Sequence, residues 1–385
     1  MVLVDARSLI EHAYRHRYAI GAFALIVPEV LPGVIEGAEQ AQAPILLSIP
    51  DHLPEFWPVD WWMPAVEHAA RAACVPVAIH YHRARTAKTC VRAIRYGCNS
   101  IGIDVQALPA TGRTARLREV AATVHACGLP LEVTFELPED AVSGSGSSTV
   151  LRRIRRLLPT AGADWIEWRL PDLPEGDRQC VRAEFAAVRT LAQHVTSTLS
   201  VPIALAADEW PDVELSPECV PGLVKVHYGR ALRDIVVRCL RTRVRRPENF
   251  LRAVRLHVRS FVAERVRKVG SAGWADRVLA DVPRFHPVEH VIVYNVHGMD
   301  EASVGDMMAE GRRALGAIPG VRRVFTGVSV REDAPYRYVW LIRFCHPNVI
   351  TAYRDHPEHV RFADERFRPV AGDRITIDFI EWDAS

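Results

Sequence analysis

The sequence lacks the features that mark membrane and secreted proteins. No apolar run approaches the roughly 18 residues that a membrane-spanning helix needs. None of the 8 cysteines forms a Cys-x-x-Cys pair, and the first residues show no signal-peptide pattern. We therefore expect a cytoplasmic protein that has no membrane partner and keeps its thiols reduced and mostly buried.

A marked excess of charge of one sign is also absent. The 48 Lys and Arg residues nearly balance the 46 Asp and Glu residues. Arginines cluster in helical stretches, as in residues 152–156 and 230–268, but no basic-aromatic motif accompanies them. These clusters favour solvated helix faces, so we expect no nucleic-acid partner. Apolar residues make up 49% of the chain, which supports a sizeable core and argues against bulk disorder.

Eight short apolar runs alternate with amphipathic segments between residues 5 and 226. Each run is continuously apolar, as expected of a strand that is buried on both faces. Several of the intervening segments end at a glycine, for example Gly97 and Gly128, where a helix would stop. Eight such units in series predict an α/β TIM (β/α)8 barrel. The runs are Ala19–Phe23, Ile45–Ile49, Val77–His80, Ile101–Asp104, Leu131–Phe135, Trp165–Trp168, Ile203–Ala206 and Leu223–Val226.

The pattern changes after the eighth run. Residues 231–279 form an arginine-rich helical region, and two prolines in residues 281–287 indicate a domain boundary. From His290 to Trp382 the order β-α-β-β-α-β predicts an α+β ferredoxin-like domain. The predicted domains are a barrel over residues 1–245, a helical linker over 246–286 and a C-terminal domain over 287–385.

Four stretches of the barrel resemble the class II fructose-bisphosphate aldolases. They match the first, third, fourth and eighth strands of that family: Tyr18–Phe23, Val75–His80, Ser100–Asp104 and Leu223–Val226. The resemblance implies a divalent metal, usually zinc, that is held by three histidines and polarises the ketose carbonyl. It also implies an aspartate that moves the proton and Gly/Ser-rich loops that hold phosphate.

The chain departs from that family at most positions that perform the chemistry. Where the family has His-x-Asp-His, the third strand ends in His80-Tyr81-His82, so His82 matches a metal ligand and Tyr81 replaces the aspartate. Residues 167–172, after the sixth strand, contain no histidine, and residues 206–210 replace the His-Gly-Gly-Ser pattern of the seventh strand. These departures argue against ordinary fructose bisphosphate cleavage.

Titratable residues nevertheless crowd the carboxyl ends of the predicted strands, where barrels of this kind place their chemistry. Three interpretations stay open: a rebuilt metal site, metal-free acid–base catalysis on an anionic substrate, and a salt-bridged polar layer. The rebuilt site would join His80 or His82 to Asp104, Glu132 or Glu136, with His82 as the preferred ligand and zinc as the candidate metal. The catalytic candidates are His80, His82, Asp104 and Glu132; the substrate-binding candidates are Arg169, Lys225 and His227; Glu167 and Asp208 complete the set.

A Ser/Gly-rich segment, residues 143–148, follows the fifth strand. Class II aldolases have a mobile loop there, so the segment is either a lid or a plain flexible connection.

Four stretches of the C-terminal domain resemble the stress-responsive dimeric α+β barrel family, often called Dabb: His290–Val293, Ile318–Val321, Tyr353–His359 and Asp378-Phe379. Members pair two sheets into a closed barrel, which implies a homodimer. Some are plant polyketide cyclases that perform an intramolecular aldol condensation, and Tyr353, His359 and His290 match their pocket residues. An imidazole can take an α-proton while a phenol holds the developing enolate. Alternatively, His359 caps a helix or joins a hydrogen-bond network.

Three functional hypotheses are open. The preferred one is a divergent aldolase-like carbon–carbon lyase, or an aldol cyclase, that acts on a small specialised metabolite. The second is a non-catalytic barrel that binds an anionic ligand and dimerises through the C-terminal domain. The third is catalysis by the C-terminal domain alone, with the barrel as a scaffold. The first is preferred because both domains resemble folds that support aldol chemistry.

Overall fold

The N-terminal region contains eight parallel strands: β1 (Ile20–Ala24), β2 (Ile45–Pro50), β3 (Val77–Ala84), β4 (Ser100–Asp104), β5 (Leu131–Glu136), β6 (Trp165–Arg169), β7 (Ile203–Ala206) and β8 (Leu223–Tyr228). In the computed structural model of the chain they pair in chain order, and β8 returns to β1, which closes the barrel. The predicted TIM barrel is confirmed, and each predicted run overlaps one strand. The structure describes residues 2–55, 58–137, 147–169, 178–206, 215–241 and 246–382.

Every residue of β1 and β2 is buried, as the apolar runs predicted. Helices alternate with the strands and cover the outside of the barrel, so both faces of the sheet are shielded from water. Helix α1 (Ala6–His16) precedes β1, and the helices that alternate with the strands are α2 (Leu31–Gln40), α3 (Val59–Ala72), α4 (Ala87–Arg95), α5 (Arg113–Ala126), α6 (Ser147–Ala161), α7 (Arg178–Leu199) and α8 (Arg230–Arg241).

Two further helices, α9 (Pro247–Lys268) and α10 (Ala275–Asp281), follow α8. Helix α9 packs closely on α2, because the two glycines of α2 that face it, Gly33 and Gly37, have no side chain. A Cβ on Gly37 would lie 2.6 Å from the carbonyl oxygen of Arg259 and 2.7 Å from Val262 Cβ. The arginine-rich helix α9 therefore packs against the barrel with the face that contains its valines.

Helices α1 and α10 close the N-terminal end of the barrel. Leu9 and Ile10 of α1 form one buried cluster with Leu46 and Val224, which stand near the starts of their strands, and with Val278 of α10. The opposite end of the barrel, where the strands finish, is the mouth that contains the titratable residues.

The C-terminal region forms a four-stranded antiparallel sheet. Its strands are β9 (Val288–Val296), β10 (Val321–Val328), β11 (Tyr338–Phe344) and β12 (Ala371–Ile380), in the order β10-β11-β9-β12. Helices α11 (Glu301–Gly316), α12 (Val349–Arg354) and α13 (Pro357–Phe362) accompany it. The predicted ferredoxin-like domain is confirmed.

One face of this sheet is covered by helices, since the ring of Trp340 lies against that of Phe362 in α13. The other face has a row of four apolar residues that pair directly across the strands: Phe325, Leu341, Val291 and Ile377. We call this row the outer apolar row. Phe325 and Ile377 are 43% and 46% exposed.

By its contacts the chain divides into two compact units. The first comprises Met1–Cys90, Cys98–Ala121 and Pro130–Arg284, and the second Val91–Gly97, Ala122–Leu129 and Phe285–Ser385. Among the described helices, none is long and apolar enough to cross a membrane.

Candidate active site

Strand β3 supplies two histidines to the barrel interior. His80 and His82 are two residues apart, so their side chains point to the same side of the strand. His80 is fully buried and His82 nearly so. The Nδ1 atom of His80 lies 2.8 Å from Ser100 Oγ, and its Nε2 atom lies 3.2 Å from Glu132 Oε1. Gly102 leaves the room for this contact, because a Cβ there would lie 3.0 Å from His80 Nε2.

A bulge in β3 brings two consecutive residues to one carboxylate. His82 Nε2 lies 2.9 Å from Glu167 Oε2, and Arg83 Nε donates to the same oxygen over 3.1 Å. Consecutive strand residues normally point to opposite faces. Arg83 has a φ of 61°, and the pairing of β3 with β4 shifts register between Tyr81 and Ala84. A non-glycine residue in this left-handed region is uncommon and costs free energy, so the contact with Glu167 compensates a local strain.

Two glutamates and a lysine form the centre of the site. Lys225 Nζ lies 2.5 Å from Glu132 Oε2 and 3.3 Å from Glu167 Oε1, and all three side chains are fully buried. Thr134 Oγ1 also donates to Glu167 Oε2 over 3.1 Å. With Arg83 as a second cation, the two carboxylate charges are formally balanced. Buried charges are tolerated only when they are paired in this way.

These contacts fix the protonation states. Burial raises the pKa of Glu132, but the charge of Lys225 and the neighbouring His80 outweigh it and hold the pKa at about 2. Burial likewise opposes ionisation of Glu167, yet His82, Lys225 and Arg83 hold its pKa well below the usual range. Burial lowers the pKa of His82 to about 4 and that of His227 well below its ordinary value. At neutral pH the glutamates are therefore charged and these imidazoles neutral.

His82, Glu167 and His227 have the geometry of a metal site. Their ligand atoms all lie within 4.8 Å of one another, and all three residues are buried. The imidazoles of His82 and His227 stack with centroids 3.8 Å apart, and His227 Nε2 lies 3.1 Å from Ser48 Oγ. Two neutral imidazoles and a carboxylate are the ligand types of catalytic zinc sites, so these residues fit a divalent metal. The carboxylate stands on β6, where the family pattern has a histidine.

The mouth of the barrel opens into a cavity of about 480 Å³. His82 and His227 form part of its floor, and five arginines face it against two aspartates. Such an excess of positive charge in a concave site favours an anionic ligand. The arginines are Arg83, Arg85, Arg169, Arg230 and Arg233, and the aspartates are Asp51 and Asp104.

Asp51, directly after β2, is held in place beside His82. The hydroxyl of Tyr81 donates to Asp51 Oδ1 over 3.0 Å, and Arg85 Nε donates to Oδ2 over 2.5 Å. The backbone N–H of Asp51 donates to the carbonyl of His82 over 3.2 Å. Sequence reasoning missed Asp51, although a carboxylate directly after an apolar strand was a usable signal.

The other sequence-predicted barrel residues lie in different surroundings. Asp104 lines the cavity and accepts a hydrogen bond from the backbone N–H of Gln106 over 2.8 Å. Arg169 lies at the rim, 3.7 Å from Glu136, and both side chains are about half exposed. Lys225 is fully buried beneath the cavity, where it contacts protein carboxylates. Asp208 and residues 143–146 of the Ser/Gly-rich segment lie outside the described residues.

The candidates of the C-terminal domain lie near one another. The rings of Tyr353 and His359 are 4.4 Å apart, and those of His290 and Tyr353 are 6.1 Å apart. His290 Nδ1 lies 2.7 Å from Asp378 Oδ1, and His359 Nδ1 lies 2.8 Å from the carbonyl of Arg354. Burial raises the pKa of Tyr353 and lowers that of His359. The backbone contact of His359 supports its structural interpretation, while the adjacent phenol keeps the catalytic one open.

Comparison with known proteins finds two family matches. The model of fructose-bisphosphate aldolase class-II matches residues 4–142, and that of the stress responsive A/B barrel domain matches residues 288–381. Both agree with the resemblances that the sequence showed.

Curated relatives match parts of the barrel. Sulfofructosephosphate aldolase of Alkalicoccus urumqiensis is 25% identical over 132 residues, which are 34% of this chain and 46% of that protein. 6-Phospho-5-dehydro-2-deoxy-D-gluconate aldolase of Bacillus subtilis is 26% identical over 170 residues, 43% of this chain and 59% of that protein. The chain thus spans about half the length of these relatives.

Among solved structures, the YdjI aldolase of Escherichia coli K12 superposes with a TM-score of 0.55 at 22% identity. The match covers 71% of this chain and 100% of that one. At this identity the likeness shows the barrel fold.

Proposed function

Because the barrel belongs to the class II fructose-bisphosphate aldolase family and the C-terminal domain to the stress responsive A/B barrel family, we propose that this protein makes or breaks a carbon–carbon bond by aldol chemistry at the barrel mouth. The observation that supports this most is the buried triad of His82, Glu167 and His227 under a cationic cavity. The substrate differs from fructose bisphosphate, since the family's other two histidines and its phosphate patterns are missing.

His82, Glu167 and His227 would hold the divalent metal of this family. When bound, such a metal acts as a Lewis acid that polarises a substrate carbonyl. Both imidazoles are already in the neutral form that binds a metal, because the pKa values of His82 and His227 are lowered. Lys225 and Arg83 already pair with Glu167, so a metal competes with two cations for this carboxylate.

Asp51 is the group that moves the proton. In the cleavage direction its carboxylate takes the hydroxyl proton of the carbon that becomes the aldehyde. The carbon–carbon bond then breaks, and its electron pair passes to the carbon beside the substrate carbonyl. That carbon finally receives a proton, either the one that Asp51 took up or one from water. Tyr81 and Arg85 orient the Asp51 carboxylate, because each donates a hydrogen bond to one of its two oxygens. The aspartate that Tyr81 replaces in β3 is thereby supplied from β2.

The substrate is a small anionic carbonyl compound. The cavity is lined by five arginines against two aspartates, and guanidinium groups bind phosphate, sulfonate or carboxylate groups in bidentate fashion. The names of the relatives point to the same class, since they act on phosphorylated and sulfonated sugar derivatives. We expect a specialised metabolite of this class.

The C-terminal domain serves as the dimerisation module. Its four-stranded sheet is open, and the outer apolar row lies on the face without helices. Two such faces that pack together bury the row and form the closed barrel of the family. Catalysis by this domain alone, through Tyr353 and His359, is the alternative that the experiment below also tests.

The first experiment compares the metal content of the purified wild type with that of His82→Ala and His227→Ala. The exposed His194→Ala serves as the matched control. We expect one equivalent of divalent metal to disappear in the two site variants and to persist in the control. Equal metal content in all four proteins would contradict the metal centre.

The second experiment screens phosphorylated and sulfonated ketoses for release of an aldehyde. Asp51→Asn should lower turnover by about 100-fold or more and keep the metal content, because only the proton acceptor is lost. Asp60→Asn, exposed on α3, is the control. Full activity in Asp51→Asn together with its loss in His359→Ala would move the reaction to the C-terminal domain.

A further inference from the structure

A second cluster of metal-ligating side chains lies at the N-terminal end of the barrel, remote from the mouth. We propose that His12, His16 and Asp281 bind a divalent transition metal, preferentially zinc, and thereby join α1 to α10. His12 and His16 are four residues apart on α1 and lie on one face of that helix. Asp281 ends α10, which packs beside α1.

The spacing of the donor atoms suits a tetrahedral ion. The ligand atoms of all three residues lie within 4.8 Å of one another. His12 Nε2 is 3.4 Å from Asp281 Oδ2, and the two imidazoles are 4.3 Å apart between centroids. With metal–ligand bonds of about 2.0–2.1 Å, two ligands of a tetrahedral zinc stand about 3.4 Å apart. The distance between His12 Nε2 and Asp281 Oδ2 thus equals that between two ligands of one zinc ion, and it is longer than a close hydrogen bond.

His12 is oriented as a ligand. Its Nδ1 atom lies 2.9 Å from the hydroxyl of Tyr18, the kind of second contact that fixes the ring of a metal-bound histidine. Its Nε2 atom is buried, and its contact with Asp281 Oδ2 is too long or too poorly aligned to count as a regular hydrogen bond. A buried polar atom that has only a long contact is poorly satisfied, and a metal ion between His12 and Asp281 would satisfy it.

An aromatic wall shields the cluster on one side. The ring of Trp274 stacks on Tyr18 at 4.9 Å and tilts against His16 at 5.2 Å. Arg277 lies 3.6 Å from the same oxygen of Asp281 and is the competing cation. Two imidazoles, one carboxylate and a fourth position open to water favour zinc over magnesium or calcium, which prefer sites built from oxygen ligands.

The test measures zinc binding by equilibrium dialysis of the full chain in a His82→Ala background, which lacks the proposed barrel centre. We expect about one equivalent of zinc, with the dissociation constant raised about tenfold or more by His16→Ala or Asp281→Asn. Both substitutions are at positions that are not fully buried, so folding is preserved better than in a His12 variant. Asp276→Asn, exposed on the same helix, should bind zinc like its parent.

A second readout is the melting temperature, which zinc should raise in the His82→Ala protein and raise by less, at the same zinc concentration, once His16→Ala is added. Absence of zinc binding in the His82→Ala background, or binding that His16→Ala and Asp281→Asn do not weaken, would overturn the proposal. This result is separate from the proposed function, which is tested by the metal content of the His82 and His227 variants and by the activity of Asp51→Asn.

Discussion

Lys225 shows how much of the barrel centre depends on one residue. Its ammonium group stands between Glu132 and Glu167, and no other side chain is known to contact both carboxylates among the described residues. Without it, Arg83 would be the one cation that the described part of the chain still places in contact with the two buried glutamates. Lys225, which the sequence predicted to bind substrate, thus compensates the charge of the buried carboxylates.

Lys225→Met should destabilise the protein by about 3–5 kcal/mol, because it leaves a buried carboxylate uncompensated. Urea denaturation of both proteins measures the difference. Lys88→Met, at an exposed position on α4, removes the same charge and should change stability little. Equal stability of the two variants would mean that Glu132 takes up a proton when the lysine is removed.

His82 should make folding stability depend on pH. Its pKa is about 4 in the folded chain and near 6.5 when unfolded, so the unfolded chain binds the proton more tightly. The contribution of His82 to the free energy of unfolding is therefore fully present above pH 6.5. It is lost as the pH falls toward 4, and the loss amounts to about 3 kcal/mol. Urea denaturation at several pH values should show a slope that is shallower in His82→Gln and unchanged in the exposed His194→Gln. An identical slope in all three would contradict the low pKa.

Single residues also show where sequence reasoning reaches its limit. His80, His82, Glu132 and His227 were predicted because strand ends in a parallel barrel converge. Arg83 was not, because its left-handed φ and the bulge around it arise from tertiary pairing with β4. Which residue reaches which carboxylate is a matter of register and bulges, which the pattern of residue types does not specify.

Among the elements, the contact between α2 and α9 is the clearest case of packing that small residues permit. The sequence predicted a helix near residue 260, yet it did not predict the face that packs or its partner. That contact depends on the backbone approach at Gly33 and Gly37. Strands were easier, since continuous apolar runs between helices have few alternatives in a barrel.

Gly37→Ala should destabilise the barrel by about 1–3 kcal/mol, because the added methyl group has to push against a backbone carbonyl of α9. Gly305→Ala is the matched control in helix α11, where a Cβ meets nothing within 4 Å. It should stabilise its helix by about 0.5–1 kcal/mol. Thermal unfolding of the two variants measures both changes in stability, which should have opposite signs. A Gly37→Ala protein that is more stable than the wild type would mean that α2 and α9 can move apart without a loss of stability.

At the scale of the whole molecule, we propose the outer apolar row as the interface of a homodimer. Exposed, contiguous apolar surface on a sheet usually marks an interface. Ile377 and Phe379 of β12 are both nearly half exposed in the single chain. A second copy that offers the same face would cover them symmetrically.

Ile377→Asp should convert a dimer into a monomer, because a carboxylate would be buried in the centre of the interface. Sedimentation velocity measures the change directly. Thr376→Asp, the neighbouring exposed residue that points to the opposite face of β12, should leave the dimer intact. A wild-type protein that sediments as a monomer would refute the dimer itself.

Buried hydrogen bonds of the barrel join its two halves. Histidines come from β3, whereas the glutamates that they contact come from β5 and β6. A crossover between β4 and β5, of the kind by which barrels are recombined from half-barrels, would separate His80 and His82 from their carboxylates. Each half-barrel would then contain buried polar groups that have lost their partners. A chimera of this protein with another barrel should therefore keep all eight strands together.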